Sequence, residues 1–104
     1  MTQIAGRANS TGVVMIVATE TSGAGYVQAL PCGTMPGAYS NLNVDRAGQT
    51  VAGLAFVRFD AQGRACLFNQ RATHLVADLQ GYLADGAFED LADVRLLDTR
   101  TRLR

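Results

Sequence analysis

The stretch that decides the fold is THLVADLQGYL, which spans Thr73–Leu83. It is the longest run with the residue types and alternation of a single β-strand, and it contains the chain's one histidine. Alternate side chains of a strand point to opposite faces of the sheet, so the leucines and alanine at its odd positions share an apolar face. The opposite face carries His74, Asp78 and Gln80. We therefore predict that this stretch is the central strand of an all-β domain.

Short β-type segments alternate with turn signals along the rest of the chain. The predicted strands are Val13–Thr19, Tyr26–Leu30 (as its partner strand), Tyr39–Val44, Thr50–Phe59, Ala65–Phe68 and Val94–Arg100. Gly53 is a candidate β-bulge, and residues 60–63 are predicted to form a hairpin connection with a positive φ at Gly63. Strands that recur at intervals of about eight to twelve residues are typical of sandwiches and barrels. The prediction is one domain over residues 1–104, an antiparallel β-sandwich of about seven to eight strands.

The end of the chain has a different composition. Residues 85–93 are acidic and are predicted to form a linker, and residues 94–104 are predicted to form a terminal strand and tail. The tail either closes an edge of its own domain or adds to an exposed edge of a neighbouring copy. Local closure costs less entropy than recruiting a partner, which favours the first hypothesis.

Composition and charge restrict the classes of partner. The 104 residues suffice for one hydrophobic core, and a hydrophobic content of 48% argues against disorder. Nine basic residues balance nine acidic ones, so we expect no nucleic-acid partner. The longest strictly apolar run, Val13–Ala18, is too short to span a membrane and lacks signal-peptide features. Met1 leads directly into the strand-like Thr2–Gly6, so we interpret the chain as a piece of a longer protein.

The two cysteines, Cys32 and Cys66, allow two interpretations. A disulfide between them would close a loop of about 35 residues and contribute roughly 3.8 kcal/mol in the chain-entropy model. It would also indicate an oxidising compartment, and a small glycine-rich β domain favours it. Alternatively, both are buried free thiols that pack as small hydrophobes.

Catalytic and metal sites have little support in the sequence. Ser40, His74 and Asp78 supply the residue types of a nucleophilic triad. However, His74 and Asp78 lie four positions apart on one predicted strand, which separates their backbones by about 13 Å. Cys32, Cys66 and His74 lack the close paired spacing of structural zinc sites, and no glycine pattern matches a phosphate-binding loop. We therefore expect no enzymatic activity, no metal and no cofactor.

Six short motifs follow one another along the chain. They are Pro31-Cys32-Gly33, Ser40-Asn41-Leu42-Asn43, Gly48-Gln49-Thr50, Thr73-His74-Leu75, Asp78-Leu79-Gln80-Gly81-Tyr82 and Leu96-Leu97-Asp98-Thr99-Arg100. In this order they resemble the repeat modules of secreted and cell-wall-associated actinobacterial proteins. Leu83 departs from that pattern, which usually has an aromatic residue there, and the acidic residues 85–93 stand in place of a Pro- and Gly-rich spacer. The resemblance implies an extracellular or cell-surface module of a longer secreted chain, a Cys32–Cys66 disulfide and a non-catalytic role. It implies no ligand.

Two functions follow as hypotheses. The first is a binding or interaction module that attaches a longer protein to a glycan, to the cell envelope or to another protein. Its candidate contact face holds Asn41, Asn43, His74, Asp78 and Gln80, provided that the strands align. These side chains could instead satisfy one another and bind nothing. The second is a structural or assembly domain for oligomerisation or spacing, through the tail or an exposed sheet edge.

Overall fold

The structure, a computed structural model, describes residues 1–37, 40–84 and 87–101. Tyr39, Asp85 and residues 102–104, which fall in the predicted strand, linker and tail, lie outside the described residues. The strands are β1 (Thr2–Ala5), β2 (Thr11–Thr19), β3 (Gly25–Leu30), β4 (Leu42–Val44), β5 (Val51–Arg58), β6 (Arg64–Asn69), β7 (His74–Ala84) and β8 (Ala87–Asp98). A short 3₁₀ turn, Thr99–Thr101, follows β8.

The eight strands of the described residues form two sheets of four. The first sheet has the order β1-β6-β3-β4 and the second the order β5-β2-β7-β8. The pairs within both sheets are antiparallel. This confirms the predicted all-β antiparallel sandwich of seven to eight strands. Nowhere in the described residues does a helix have the length and apolar character needed to cross a membrane.

The two sheets enclose a hydrophobic core to which both contribute. Strand β7 lies between β2 and β8, and its Leu75, Ala77 and Leu79 are buried in this core, as the alternation of the sequence predicts. Phe59 and Leu67 are fully buried against them. Each fully buried side chain of this size contributes about 1.5–3 kcal/mol relative to an exposed one, so the core supplies the main stabilisation of the fold.

Most consecutive strands lie in different sheets, which differs from the sequence prediction. Strand β3 does not pair with β2 as predicted, because β2 pairs with β5 and β7 in the second sheet. Residues 60–63 likewise do not form a hairpin; they carry the chain from β5 in the second sheet to β6 in the first. Gly63 does have the predicted positive φ, +74°. The same tight-turn chemistry serves a hairpin and a crossing between layers, so the turn residues could not distinguish them.

The predicted bulge at Gly53 is also absent from the structure. Gly53 pairs in regular register with Ile16, whereas the register shift lies between β2 and β7, at Val13 and Val14. A Cβ atom on Gly53 would approach the Leu42 Cδ2 atom of the facing sheet to 2.9 Å. A larger residue there would require the end of the Leu42 side chain to shift, so Gly53 allows the two sheets to approach closely.

The segment predicted as an acidic linker is largely part of a strand. Strand β8 begins at Ala87 and pairs with β7, with register shifts, as far as the pair Val76 and Asp98. Leu91, Leu96 and Leu97 pack against the core, and this apolar packing outweighs the acidic composition. Residues 94–98 of the predicted tail therefore pair with β7 of the same chain as part of β8.

Candidate contact surfaces

The structure divides the five predicted contact residues between two sheets. Asn43 lies in β4 of the first sheet, between two buried neighbours, and Asn41 immediately precedes that strand. His74, Asp78 and Gln80 lie on β7 of the second sheet. The outer faces of the two layers of a sandwich point away from each other. The five residues therefore do not form one surface.

The asparagines take part in the framework of the first sheet. The Asn41 backbone N–H donates to the Val27 carbonyl at 2.8 Å, and the Asn41 Oδ1 accepts a hydrogen bond from the Ala29 N–H at 2.6 Å. Asn43 is exposed, and its Oδ1 accepts a hydrogen bond from the Ser40 hydroxyl at 3.0 Å. Asn41 thus acts within the sheet, and Asn43 is the one of the pair whose side chain faces solvent.

His74 and Asp78 also have partners within the chain. The His74 Nδ1 atom lies 3.0 Å from the Thr99 hydroxyl, which accepts a hydrogen bond from the Leu75 N–H at 2.8 Å. Asp78 pairs with the Arg95 guanidinium across β7 and β8. These contacts fix the C-terminal strand and turn against β7, which is a structural use of both residues.

Alternating acids and arginines continue this network along the end of β8. Asp98 accepts hydrogen bonds from Arg95 at 2.6 Å and from Arg100 at 3.0 Å. The hydrogen bond from the Arg100 side chain is the main cause that lowers the pKa of Asp98 to about 2. The hydrogen bond to Asp78 is the main cause that raises the pKa of Arg95. Two carboxylates face two guanidinium groups here, so this side of the outer face is locally neutral.

The triad residue types do not meet in the structure. Ser40 precedes β4 on the first sheet, whereas His74 and Asp78 lie on β7 of the second and are held by Thr99 and Arg95. Across residues 1–37, 40–84 and 87–101, no group of three or more His, Cys, Asp or Glu side chains is placed to hold a metal ion.

A disulfide ties the connection between β3 and β4 to the outer face of the first sheet. Cys32 and Cys66 are bonded, with their Cα atoms 5.0 Å apart, and Cys66 lies on β6 between two core residues. Beneath the connection, Gln28 is only 2% exposed, and its Oε1 accepts a hydrogen bond from the Gly37 N–H at 2.8 Å. The connection thus covers part of the first sheet's outer face.

A shallow groove lies beside this connection. It has a volume of about 250 Å³ and is lined by Tyr26, Gly37, Ser40 and Asn43. The Tyr26 ring packs against the Phe68 ring, and the two ring centroids lie 5.7 Å apart. We call this feature the Tyr26 groove.

The second sheet presents a more apolar outer face, which the sequence reasoning missed. Leu54 and Phe56 on β5 point outward and are 56% and 71% exposed. The register sets Phe56 beside Val13 and Leu54 beside Met15 on β2. We call this set the outer apolar face; its members are the exposed Leu54 and Phe56, the half-buried Met15 and Val17, and the buried Val13 and Val76. The signal was present in β5, where apolar residues occupy the even positions as well as the odd ones.

Comparison of the chain with protein-family models, with curated proteins and with solved structures finds no match in any of the three.

Proposed function

We propose that this chain is a non-catalytic interaction module of a longer extracellular protein, and that it binds a protein surface through the outer apolar face. The observation that carries the proposal is the exposure of Phe56 and Leu54 on the outer face of the second sheet. Exposed contiguous apolar surface in a soluble fold marks interaction sites more often than chance, and aromatic anchors dominate the energetics of such contacts. Burial of one such side chain contributes about 1.5–3 kcal/mol.

The chemistry around the outer apolar face favours a protein over a charged ligand. Leu54 and Phe56 are the exposed apolar side chains of this face, and the half-buried Met15 and Val17 lie on the neighbouring strand β2. Of the charged groups beside this face, Asp78 on β7 pairs with Arg95, and Arg58 lies two positions beyond Phe56 at the end of β5. An apolar centre with a polar rim is the usual composition of a protein–protein interface.

The extracellular and non-catalytic parts of the proposal have separate support. The Cys32–Cys66 disulfide is compatible with an oxidising compartment. The ordered motifs resemble modules of secreted proteins, which makes a longer parent chain part of the proposal. His74 and Asp78 have structural partners in Thr99 and Arg95, so the candidate acid–base groups are used by the framework.

Site-directed photo-crosslinking tests the proposed surface. A photoreactive benzoylphenylalanine is placed at Phe56, and at Asn43 as the matched control, because both positions are exposed on the outer faces of opposite sheets. The chain is incubated with the cell envelope of the producing organism and irradiated. We expect protein adducts from position 56 and none from position 43. Adducts from position 43 alone would contradict the proposed surface.

The Tyr26 groove favours a second candidate function, binding of a saccharide unit. A tyrosine ring beside a hydroxyl and a carboxamide offers a stacking platform with hydrogen-bonding groups, and small ligands usually occupy concave sites with a few placed polar groups. Calorimetry with cell-wall oligosaccharides tests it. Asn43→Ala should abolish binding while Phe56→Ser, on the other sheet, should leave it unchanged. Equal binding by the natural chain and both variants would exclude the Tyr26 groove as the saccharide site.

A further inference from the structure

The four outermost strands of the two sheets differ in how well they resist pairing with another chain. In the first sheet, β1 and β4 are only four and three residues long. In the second sheet, β8 has register shifts and a charged sequence, AFEDLADVRLLD. Short edges, irregular register and charges are the features by which native sheets avoid edge-to-edge pairing. Three of the four edges therefore carry such protection.

Among the edge strands that the structure describes, β5 has the fewest of these features. It runs for eight residues in regular register with β2, contains no proline, and has a single charged residue, Arg58, at its end. At about 3.4 Å per residue it extends roughly 27 Å, close to the 28 Å short dimension of the domain. Its outward side chains include Leu54 and Phe56, the exposed anchors of the outer apolar face. An open edge and an apolar face therefore meet on one strand.

We infer that β5 pairs antiparallel with β5 of a second copy of this chain, so that the second sheet continues across a two-fold axis. The inference rests on the proposed interaction role of the outer apolar face and adds a second copy at the β5 edge of that face; the outward side chains stay outward and contact one another side by side across the axis. Backbone N–H and C=O groups on the free side of β5 supply the hydrogen bonds, as in β-strand addition. A two-fold contact of this kind is isologous, since the same strand serves on both sides.

The side-chain pattern of β5 selects the register. Outward residues must remain outward in both copies, so the axis passes through a residue position. An axis at Ala55 sets Leu54 opposite Phe56 of the second copy, twice, and sets Arg58 opposite Ala52. With the axis at Leu54, Phe56 of one copy would lie opposite Ala52 of the other. With the axis at Phe56, Leu54 of one copy would lie opposite Arg58 of the other. The Ala55 register gives the most apolar contact and brings no like charges together.

Two copies of this chain can also associate without repulsion between net charges. The chain has nine basic and nine acidic residues, so two copies carry no net repulsion. One strand edge with Leu54 and Phe56 from each copy forms only a small interface. Interfaces below about 1,000 Å² in total are weak or transient. The dimer is therefore expected to depend on concentration.

Sedimentation equilibrium of the chain and of two matched variants tests the inference. Leu54→Lys/Phe56→Lys places four like charges around the axis, whereas Leu54→Glu/Phe56→Lys places opposite charges on the residues that face each other in the Ala55 register. Both sites are exposed, so both variants should fold, which thermal unfolding checks. The mass of the natural chain should rise from 11.0 kDa toward twice that value with concentration. The lysine pair should stay monomeric and the mixed-charge pair should dimerise.

The outcomes separate this inference from the proposed function. A natural chain that stays monomeric up to millimolar concentration, or a lysine pair that still dimerises, overturns the β5 dimer. A mixed-charge pair that stays monomeric while the natural chain dimerises overturns the Ala55 register. If the natural chain is monomeric but position 56 still crosslinks to an envelope protein, the second copy is wrong and the proposed surface stands. If position 56 also gives no adduct, both fail.

Discussion

The carboxamide of Asn41 takes the place of a strand neighbour for Ala29. Its Oδ1 accepts a hydrogen bond from the Ala29 N–H at 2.6 Å, and the Asn41 backbone N–H donates to Val27 at 2.8 Å. The residue thereby continues the pairing of β3 with β4 one step beyond Leu42. The side chain of the half-buried Asn41 thus holds two strands in register.

Replacement of Asn41 by alanine should lower the free energy of unfolding by about 1 kcal/mol, the net contribution of one such hydrogen bond. Asn41→Asp keeps an acceptor oxygen at the same position and should cost less. Urea unfolding of the two variants beside the natural chain measures the difference. An equal loss in both would show that the acceptor is not the cause.

The Cys32–Cys66 disulfide should be a major contributor to stability. It closes a sequence separation of 34 residues, and the chain-entropy model assigns roughly 3.8 kcal/mol to a loop of that size. Cys32→Ala/Cys66→Ala should lower the free energy of unfolding by a comparable amount in urea titrations. A reductant should lower the free energy of unfolding of the natural chain only. If it also destabilised the double variant, the loss of stability would not come from the disulfide.

Two glycines with positive φ form a matched pair for testing backbone strain against contact. Gly63 has φ +74° and Gly48 has φ +80°. A Cβ atom on Gly63 would collide with the Gly6 carbonyl oxygen, whereas one on Gly48 would meet nothing within 4 Å. Gly48→Ala should cost about 1–2 kcal/mol from the left-handed conformation alone. Gly63→Ala should cost at least about 1–3 kcal/mol more, because the backbone must move. Similar thermal midpoints for the two variants would contradict this account.

Local alternation in the sequence was sufficient to predict most of the strands and the inward face of β7. The odd positions of β7, Leu75 to Leu79, are buried as predicted, because a period of two fixes which side chains share a face. Alternation does not indicate which strands are neighbours. The sequence therefore could not predict that β3 and β6 lie in a different sheet from β2 and β5. The C-terminal half of β8 was predicted as a strand, but its residues 87–93 were predicted as a linker, because the packing of Leu91 against the core depends on pairing with the distant β7.

The candidate site was less predictable than the fold. The polar side chains of His74 and Asp78 on one side of β7 led to the prediction of a contact face. In the structure they are held by Thr99 and Arg95, which lie far along the chain. The outer apolar face depends on β5 lying beside β2, which brings Phe56 next to Val13 across more than forty positions of sequence. Such a surface exists only after long-range pairing, so single-strand patterns cannot show it.

The Asp98 network predicts a defined pH dependence of stability. Hydrogen bonds and charge from Arg100, together with Arg95, lower the pKa of Asp98 from an ordinary value near 3.8 to about 2. A carboxylate whose pKa is lower in the folded state stabilises that state above pH 4, and this contribution is lost as the pH falls from about 4 to about 2. The pKa values of Asp60 and Glu89 are also lowered, so the natural chain alone cannot isolate one group.

Asp98→Asn isolates the Asp98 contribution, because the variant keeps the side-chain shape and removes the charge. The gap in urea midpoint between the natural chain and the variant should be constant from pH 5 to 7 and should shrink toward zero between pH 4 and pH 2. Because the Arg95 and Arg100 side chains are half exposed, molar salt should reduce the gap as well, since the Debye length falls to about 3 Å. A gap that persists unchanged to pH 2 would mean that the aspartate acts through its hydrogen bonds to Arg100 and not through its charge.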